Sequence, residues 1–90
     1  MNFPHGAPVT PAKLALLRSR IAELGIDLAA IQETFVKGGG KGGQKINKTS
    51  NAVRLSYIGF HVKVQRERSR ELNRFLALRD LVDRVEGRRR

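Results

Sequence analysis

Apolar residues in this chain recur with two different periods, and the change between them divides it into elements. Leu14, Leu17, Ile21 and Leu24 stand three and four apart, the spacing of one helical stripe. Thr10-Pro11 before them predicts an N-cap followed by proline at the first helical position, and Gly25 predicts the stop. Arg18 and Arg20 fall on or beside the polar side of this helix. Asp27 is placed to cap a short turn through Ala30, and an extended stretch follows from Gln32 to Lys37, with Phe35 and Val36 as its strand formers. From residue 52 the period is two. Val53, Leu55 and Tyr57, then Phe60, Val62 and Val64, alternate with polar positions and predict a β-hairpin with one buried face. Ile58-Gly59 is not a favoured two-residue turn pair, so a longer or bulged connection is expected. Ser69 is the predicted cap of a last helix whose stripe is Leu72, Phe75, Leu76, Val82 and Val85. Arg79 with Asp83 and Asp80 with Arg84 stand four apart, and Gly87 is its expected end.

These elements predict an α+β fold: a small, mostly antiparallel three-stranded sheet, a C-terminal helix packed on one face, and an N-terminal amphipathic helix whose docking the pattern leaves open. Residues 1–9, with Pro4, Gly6 and Pro8 and little periodicity, are expected to be a flexible lead-in. Residues 10–26 form the N-terminal helix unit, 27–87 the main domain, and 88–90 a basic tail. Phe35, Tyr57, Phe60 and Phe75 sit at core-facing positions and are expected to pack inside.

Between the predicted strands lies a segment with neither period, Val36 to Asn51, in which five of the nine glycines fall at positions 38, 39, 40, 42 and 43. Glycine lets backbone amides approach a ligand closely. Lys37, Lys41, Lys45 and Lys48 flank the glycines, which suggests an anionic ligand. The net charge of +10 is concentrated here: residues 37–70 hold nine basic side chains against the single acid Glu67. Such a block points to a nucleic-acid backbone. With no cysteine and only His5 and His61, neither a disulfide framework nor a metal cluster is expected, and no metal or cofactor is implied. No run is apolar enough for a membrane span or secretory signal, so a soluble intracellular protein without membrane association, monomeric when free, is expected.

Two nucleotide-binding readings fail on spacing. Gly38, Gly40 and Gly43 satisfy a dinucleotide fingerprint, but a hairpin rather than a long helix follows them, and the position about 20 residues on is Lys63 instead of an acid. A P-loop requires lysine and a hydroxyl residue after its last glycine, and Gly43 is followed by Gln44-Lys45.

Gly42-Gly43-Gln44, then Asn47-Lys48, the strand Ala52-Val53-Arg54-Leu55 and Glu67-Arg68-Ser69 at the head of the last helix, closely resemble the catalytic domain of class I peptide-chain release factors. The resemblance covers about residues 31 to 86. It is greatest to the short relatives that rescue stalled ribosomes and lack a stop-codon-reading domain; Phe35-Val36-Lys37-Gly38 resembles the mitochondrial-type members and their bacterial relatives more than the tailed bacterial hydrolases. The resemblance implies ribosome-dependent hydrolysis of the peptidyl-tRNA ester. No nucleophile with a paired base is visible, so water is the expected attacker. Gly42 and Gly43 would supply backbone freedom, the Gln44 main-chain N–H would stabilise the leaving 3′ oxygen, and the Gln44 side chain would gate the water. The implied partners are the large ribosomal subunit with its rRNA, peptidyl-tRNA, and a methyltransferase acting on the Gln44 amide.

Lys37, Lys41, Lys45, Asn47, Lys48, Arg66, Arg68 and Arg70 are the candidate RNA contacts. For Asn47 a turn-capping role is favoured. Gly39 and Arg70 depart from the family, which commonly has serine and glutamine there. Tailed rescue factors carry a long basic extension absent from this sequence, which leaves open a removed tail or a different substrate, such as a split large subunit. The alternative function is a ribosome-associated rRNA- or tRNA-binding module without catalysis. Residues 1–20 lack acids, as transit peptides do, but hold only three basic residues, which favours the cytoplasm over the mitochondrion.

Overall fold

The computed structural model describes residues 1–36, 52–66 and 69–89. Their order is helix α1 (Pro11–Leu24), a 3-10 turn (Leu28–Ala30), strands β1 (Gln32–Val36), β2 (Ala52–Tyr57) and β3 (Phe60–Val64), and helix α2 (Arg70–Arg89). The strands form one antiparallel sheet in the order β1-β2-β3, so the expected α+β class holds. The sequence also predicts a short helical turn over Ile46 to Asn51, and these positions lie outside the described residues.

The helix ends follow their local chemistry. Lys13 N–H donates to Thr10 Oγ1 at 3.3 Å, and Gly25 stops α1 in the left-handed region at φ 70°. Ala29 N–H donates to Asp27 Oδ1 at 3.0 Å, and Leu72 N–H to Ser69 Oγ at 3.1 Å. Gly87 does not end α2, which runs on to Arg89. A glycine away from the left-handed region costs a helix only about 1 kcal/mol, and beyond it Arg88 reaches back over the Phe60 ring, 4.5–6 Å being the usual range and 5.8 Å the distance here.

α2 lies along the sheet face formed by Val53, Leu55, Tyr57, Val62 and Val64, all buried. Its buried stripe is Phe75, Ala77, Leu78, Leu81, Val82 and Val85, whereas Leu72 and Leu76 are only half-buried. The centre of the seam is thus Leu78 and Leu81, one position round from the predicted stripe. α1 packs on α2 through Leu17 and Ile21. Arg20 then reaches Asp83 at 2.8 Å and also Glu86. Its hydrogen bonds to Asp83 and then Glu86 raise the Arg20 pKa above the ordinary arginine value despite some burial. Asp83 is therefore engaged by α1 rather than by Arg79, which lies over the Phe75 ring; the Asp80–Arg84 pair forms as expected, at 3.4 Å.

The N-terminal segment, expected as a flexible lead-in, packs against the core. Phe3, Pro4 and Ala7 are buried, and Phe3 and Ala7 join the same hydrophobic cluster as α1, the sheet and α2. Short backbone bonds, His5 N–H to Phe3 O, Ala7 N–H to Pro4 O and Val9 N–H to Ala7 O, fold the segment on itself. Prolines lower the entropy lost in fixing such a path. A single cluster spanning residues 3 to 85 also means that the division placed at residue 27 is no boundary in packing.

The β2–β3 connection is tight as well. Tyr57 pairs with Phe60, leaving Ile58 and Gly59 as a two-residue turn with φ 40° and 86°. The primed turn that fits strand twist needs positive φ at both positions, and sheet pairing imposes it on a β-branched residue that resists it. Ile58 is 77% exposed, so its side chain gains little by packing. Ile58→Asn, which restores the favoured Asn-Gly pair, is expected to raise unfolding free energy by about 1 kcal/mol, measured by chemical denaturation; a loss of stability would contradict a strained turn.

Candidate functional site

The glycine-rich segment is carried by a stem of known register. β1 ends at Val36, β2 begins at Ala52, and these two residues are paired, so residues 37–51 join adjacent antiparallel strands. β3 ends and α2 begins at this same end of the sheet, which places Val64, Arg66, Ser69 and Arg70 beside the stem. The Ile58-Gly59 turn is at the opposite end.

Of the residues singled out from sequence, Gly42, Gly43, Gln44, Lys37, Lys41, Lys45, Asn47, Lys48 and Arg68 lie outside the described residues. Arg66 and Arg70 are described, and both are exposed at the stem end. Arg70 has a partner within the chain: its guanidinium lies 4.5 Å from the centre of the Phe35 ring. Phe35 is correspondingly not a core residue, being 44% exposed. It is on the helix-facing side, opposite Val53, but β1 is an edge strand, and Arg70 from the first turn of α2 lies over its ring. Such contacts are worth about 0.5–1 kcal/mol at an exposed site, enough to orient the cation and leave its edge free for an anion. Tyr57, by contrast, is buried, and its hydroxyl accepts Asp27 N–H at 3.3 Å.

Arg74, which the sequence reading did not single out, braces the stem. Its Nε donates to Glu33 Oε2 at 2.6 Å, its Nη1 to Glu71 Oε1 at 3.0 Å, and its Nη2 to the Asn2 carbonyl at 2.7 Å. Both Arg74 and Glu33 side chains are only 13% exposed. Burial opposes the Arg74 charge, but the hydrogen bond and attraction of Glu33, with Glu71 adding to them, hold its pKa above the ordinary arginine value. One guanidinium therefore ties β1, α2 and the N-terminal segment together. The available signal was Glu33 itself, an acid on the helix-facing side of a strand, which required a cation from α2.

The RF-1 domain family matches residues 19–90, most of the chain. The chain belongs to this family. The RF-1 domain is the catalytic domain of class I release factors, as the Gly-Gly-Gln resemblance implied. A Homo sapiens protein named mitochondrial translation release factor in rescue is 43% identical over 83 residues, 90% of this chain and 50% of that protein. Its Mus musculus namesake is 37% identical over 86 residues, 93% of this chain and 46% of that protein. Peptide chain release factor 1 of Leuconostoc citreum is 43% identical over 67 residues, 70% of this chain and 19% of that protein. The chain thus spans about half the length of the two rescue factors. No solved structure matches it. The RF-1 match begins inside α1, at residue 19, so the N-terminal segment and the first turns of α1 extend the domain's core from outside the matched region.

Glu33→Gln keeps the shape of the Arg74 site but removes the charge that compensates a mostly buried cation. It is expected to lower unfolding free energy by about 1–3 kcal/mol, with Glu71 and the Asn2 carbonyl limiting the loss. Urea denaturation of this RF-1 domain measures it, and an unchanged midpoint would show that Arg74 does not depend on Glu33.

Proposed function

We propose that this chain hydrolyses the ester joining a nascent peptide to tRNA on the large ribosomal subunit, as a release factor that acts without reading a stop codon. The observation that carries the reading is Gly42-Gly43-Gln44, followed by Asn47-Lys48, within the segment joining β1 to β2 of an RF-1 domain. In this reading the peptidyl-transferase centre already holds the ester, and the protein contributes a positioned water and a donor for the charge that develops on the leaving 3′ oxygen. The Gln44 N–H is that donor. Gly42 and Gly43 allow backbone angles that a β-carbon would penalise by about 1–2 kcal/mol per residue. The Gln44 side chain fills space beside the attacking water and excludes larger nucleophiles, and its amide is a site for methylation. Lys37, Lys41, Lys45, Lys48, Arg66, Arg68 and Arg70 neutralise rRNA or tRNA phosphates around the loop.

The names of the human and mouse relatives support rescue as the setting, and the substrate proposed is a stalled ribosome or a split large subunit. Relatives named as mitochondrial and relatives from bacteria both match, so the same chemistry is proposed whichever compartment holds the protein.

The test is peptide release from stalled ribosomes and from isolated large subunits charged with peptidyl-tRNA. Wild type is expected to release peptide. Gly43→Ala is expected to lose about 100-fold or more, the usual cost of misplacing one preorganised donor, while Gln44→Ala keeps partial water reaction and accepts larger nucleophiles such as hydroxylamine. Binding without release by wild type would make the chain an RNA-binding module instead, and wild-type rates for Gly43→Ala would overturn the role of the backbone.

A further inference from the structure

The sheet has a second face, which α2 does not cover. Its residues follow from the register: Gln32, Ser56 and His61 form one rung across all three strands, and Thr34, Arg54 and Lys63 form the next. All six are polar, none is acidic, and all but the half-buried Ser56 are exposed. The second rung is followed directly by the stem pair Val36 and Ala52.

Arg54 and Lys63 are direct cross-strand partners, so their β-carbons are about 4.5–5.5 Å apart, and like charges so placed destabilise a sheet. Among the described residues no carboxylate forms a salt bridge with either. On the helix-facing side of the same sheet Arg74 is held by Glu33 and Glu71. The open face sets two cations against each other, and an anion bound between them would relieve that repulsion.

We propose that this open sheet face is a second RNA-binding surface, in which Arg54 and Lys63 clamp the sugar–phosphate backbone beside the loop stem. The choice of RNA as occupant rests on the function proposed above. Arg54 presents a planar fork suited to phosphate oxygens, Lys63 a point charge next to it, and Thr34, Ser56 and Gln32 offer neutral donors along the same track. Three strands make the face about 10 Å wide, enough for one strand of backbone. The surface adds contacts that none of the candidate loop lysines supplies and fixes how the stem is oriented while residues 37–51 engage their target.

The experiment measures binding of the 90-residue chain to a labelled RNA stem-loop and to purified large subunits over a range of salt concentrations, a readout independent of peptide release. Removing two phosphate contacts with Arg54→Ala/Lys63→Ala is expected to flatten the slope of log affinity against log salt by about 1.4–1.8. The charge-matched control Lys13→Ala/Arg79→Ala, on the helices, is expected to leave the slope near wild type. Lys63→Glu separates binding from folding: it replaces a like-charge pair with an opposite-charge one, so it is expected to weaken RNA binding while keeping or raising the thermal midpoint. An unchanged slope for the Arg54/Lys63 variant, equal flattening by the control, or a lowered midpoint for Lys63→Glu would overturn the proposal. Because RNA affinity is read without ester hydrolysis, a chain that binds as described but releases no peptide would overturn the proposed function and leave this surface standing.

Discussion

The structure depends on the burial of α2 against a sheet only three strands wide. Joining β1 to β2 through residues 37–51 costs closure entropy on the order of 2 kcal/mol. Val53 and Leu55, fully buried beneath Leu78 and Leu81, each contribute about 1.5–3 kcal/mol. That is enough to offset the closure cost and hold the two ends of the segment together.

Electrostatics divides along the same line. Two arginines are matched inside the molecule: Arg20 joins α1 to α2 through Asp83 and Glu86, and Arg74, on the helix side of the sheet, joins three segments through Glu33, Glu71 and the Asn2 carbonyl. Near the stem and on the open sheet face the cations are left toward solvent. Phe35 marks the boundary, since it holds Arg70 by its ring rather than by an opposing charge and so orients the guanidinium without neutralising it. The excess of +10 is therefore not a uniform coating but a consequence of where the acids were used.

Much of the fold was legible in the sequence because it rests on local rules. The caps Thr10, Asp27 and Ser69, the stop at Gly25 and the alternation from Val53 to Val64 each act through neighbours a few residues away. What escaped depends on distant partners. Nothing local shows that Phe3 and Ala7 have a core to enter, that Arg20 takes Asp83 away from Arg79, or that strand pairing forces Ile58 to positive φ. Phe35 was misjudged because alternation gives the face of a strand and not its place in the sheet; at an edge, the helix-facing side is half open. For the site, the Gly-Gly-Gln triplet and its order relative to Asn47-Lys48 and Glu67-Arg68-Ser69 were readable as a motif, and the RF-1 match agrees with that family. The second cationic surface was not readable, because Arg54 and Lys63 become neighbours only through the register of β2 and β3.

The stem formed by β1 and β2 belongs to the same folded unit as the sheet centre, and native-state hydrogen exchange at single-residue resolution tests this most directly. The account predicts that the hydrogen-bonded amides joining β1 to β2 next to the stem, at Thr34 and Arg54, exchange only by the same global opening that exposes Leu55 in the sheet centre, giving equal free energies of exchange and equal denaturant dependence. Exchange at Thr34 and Arg54 through a local opening, with Leu55 still protected, would contradict it and set the stem apart from the folded core.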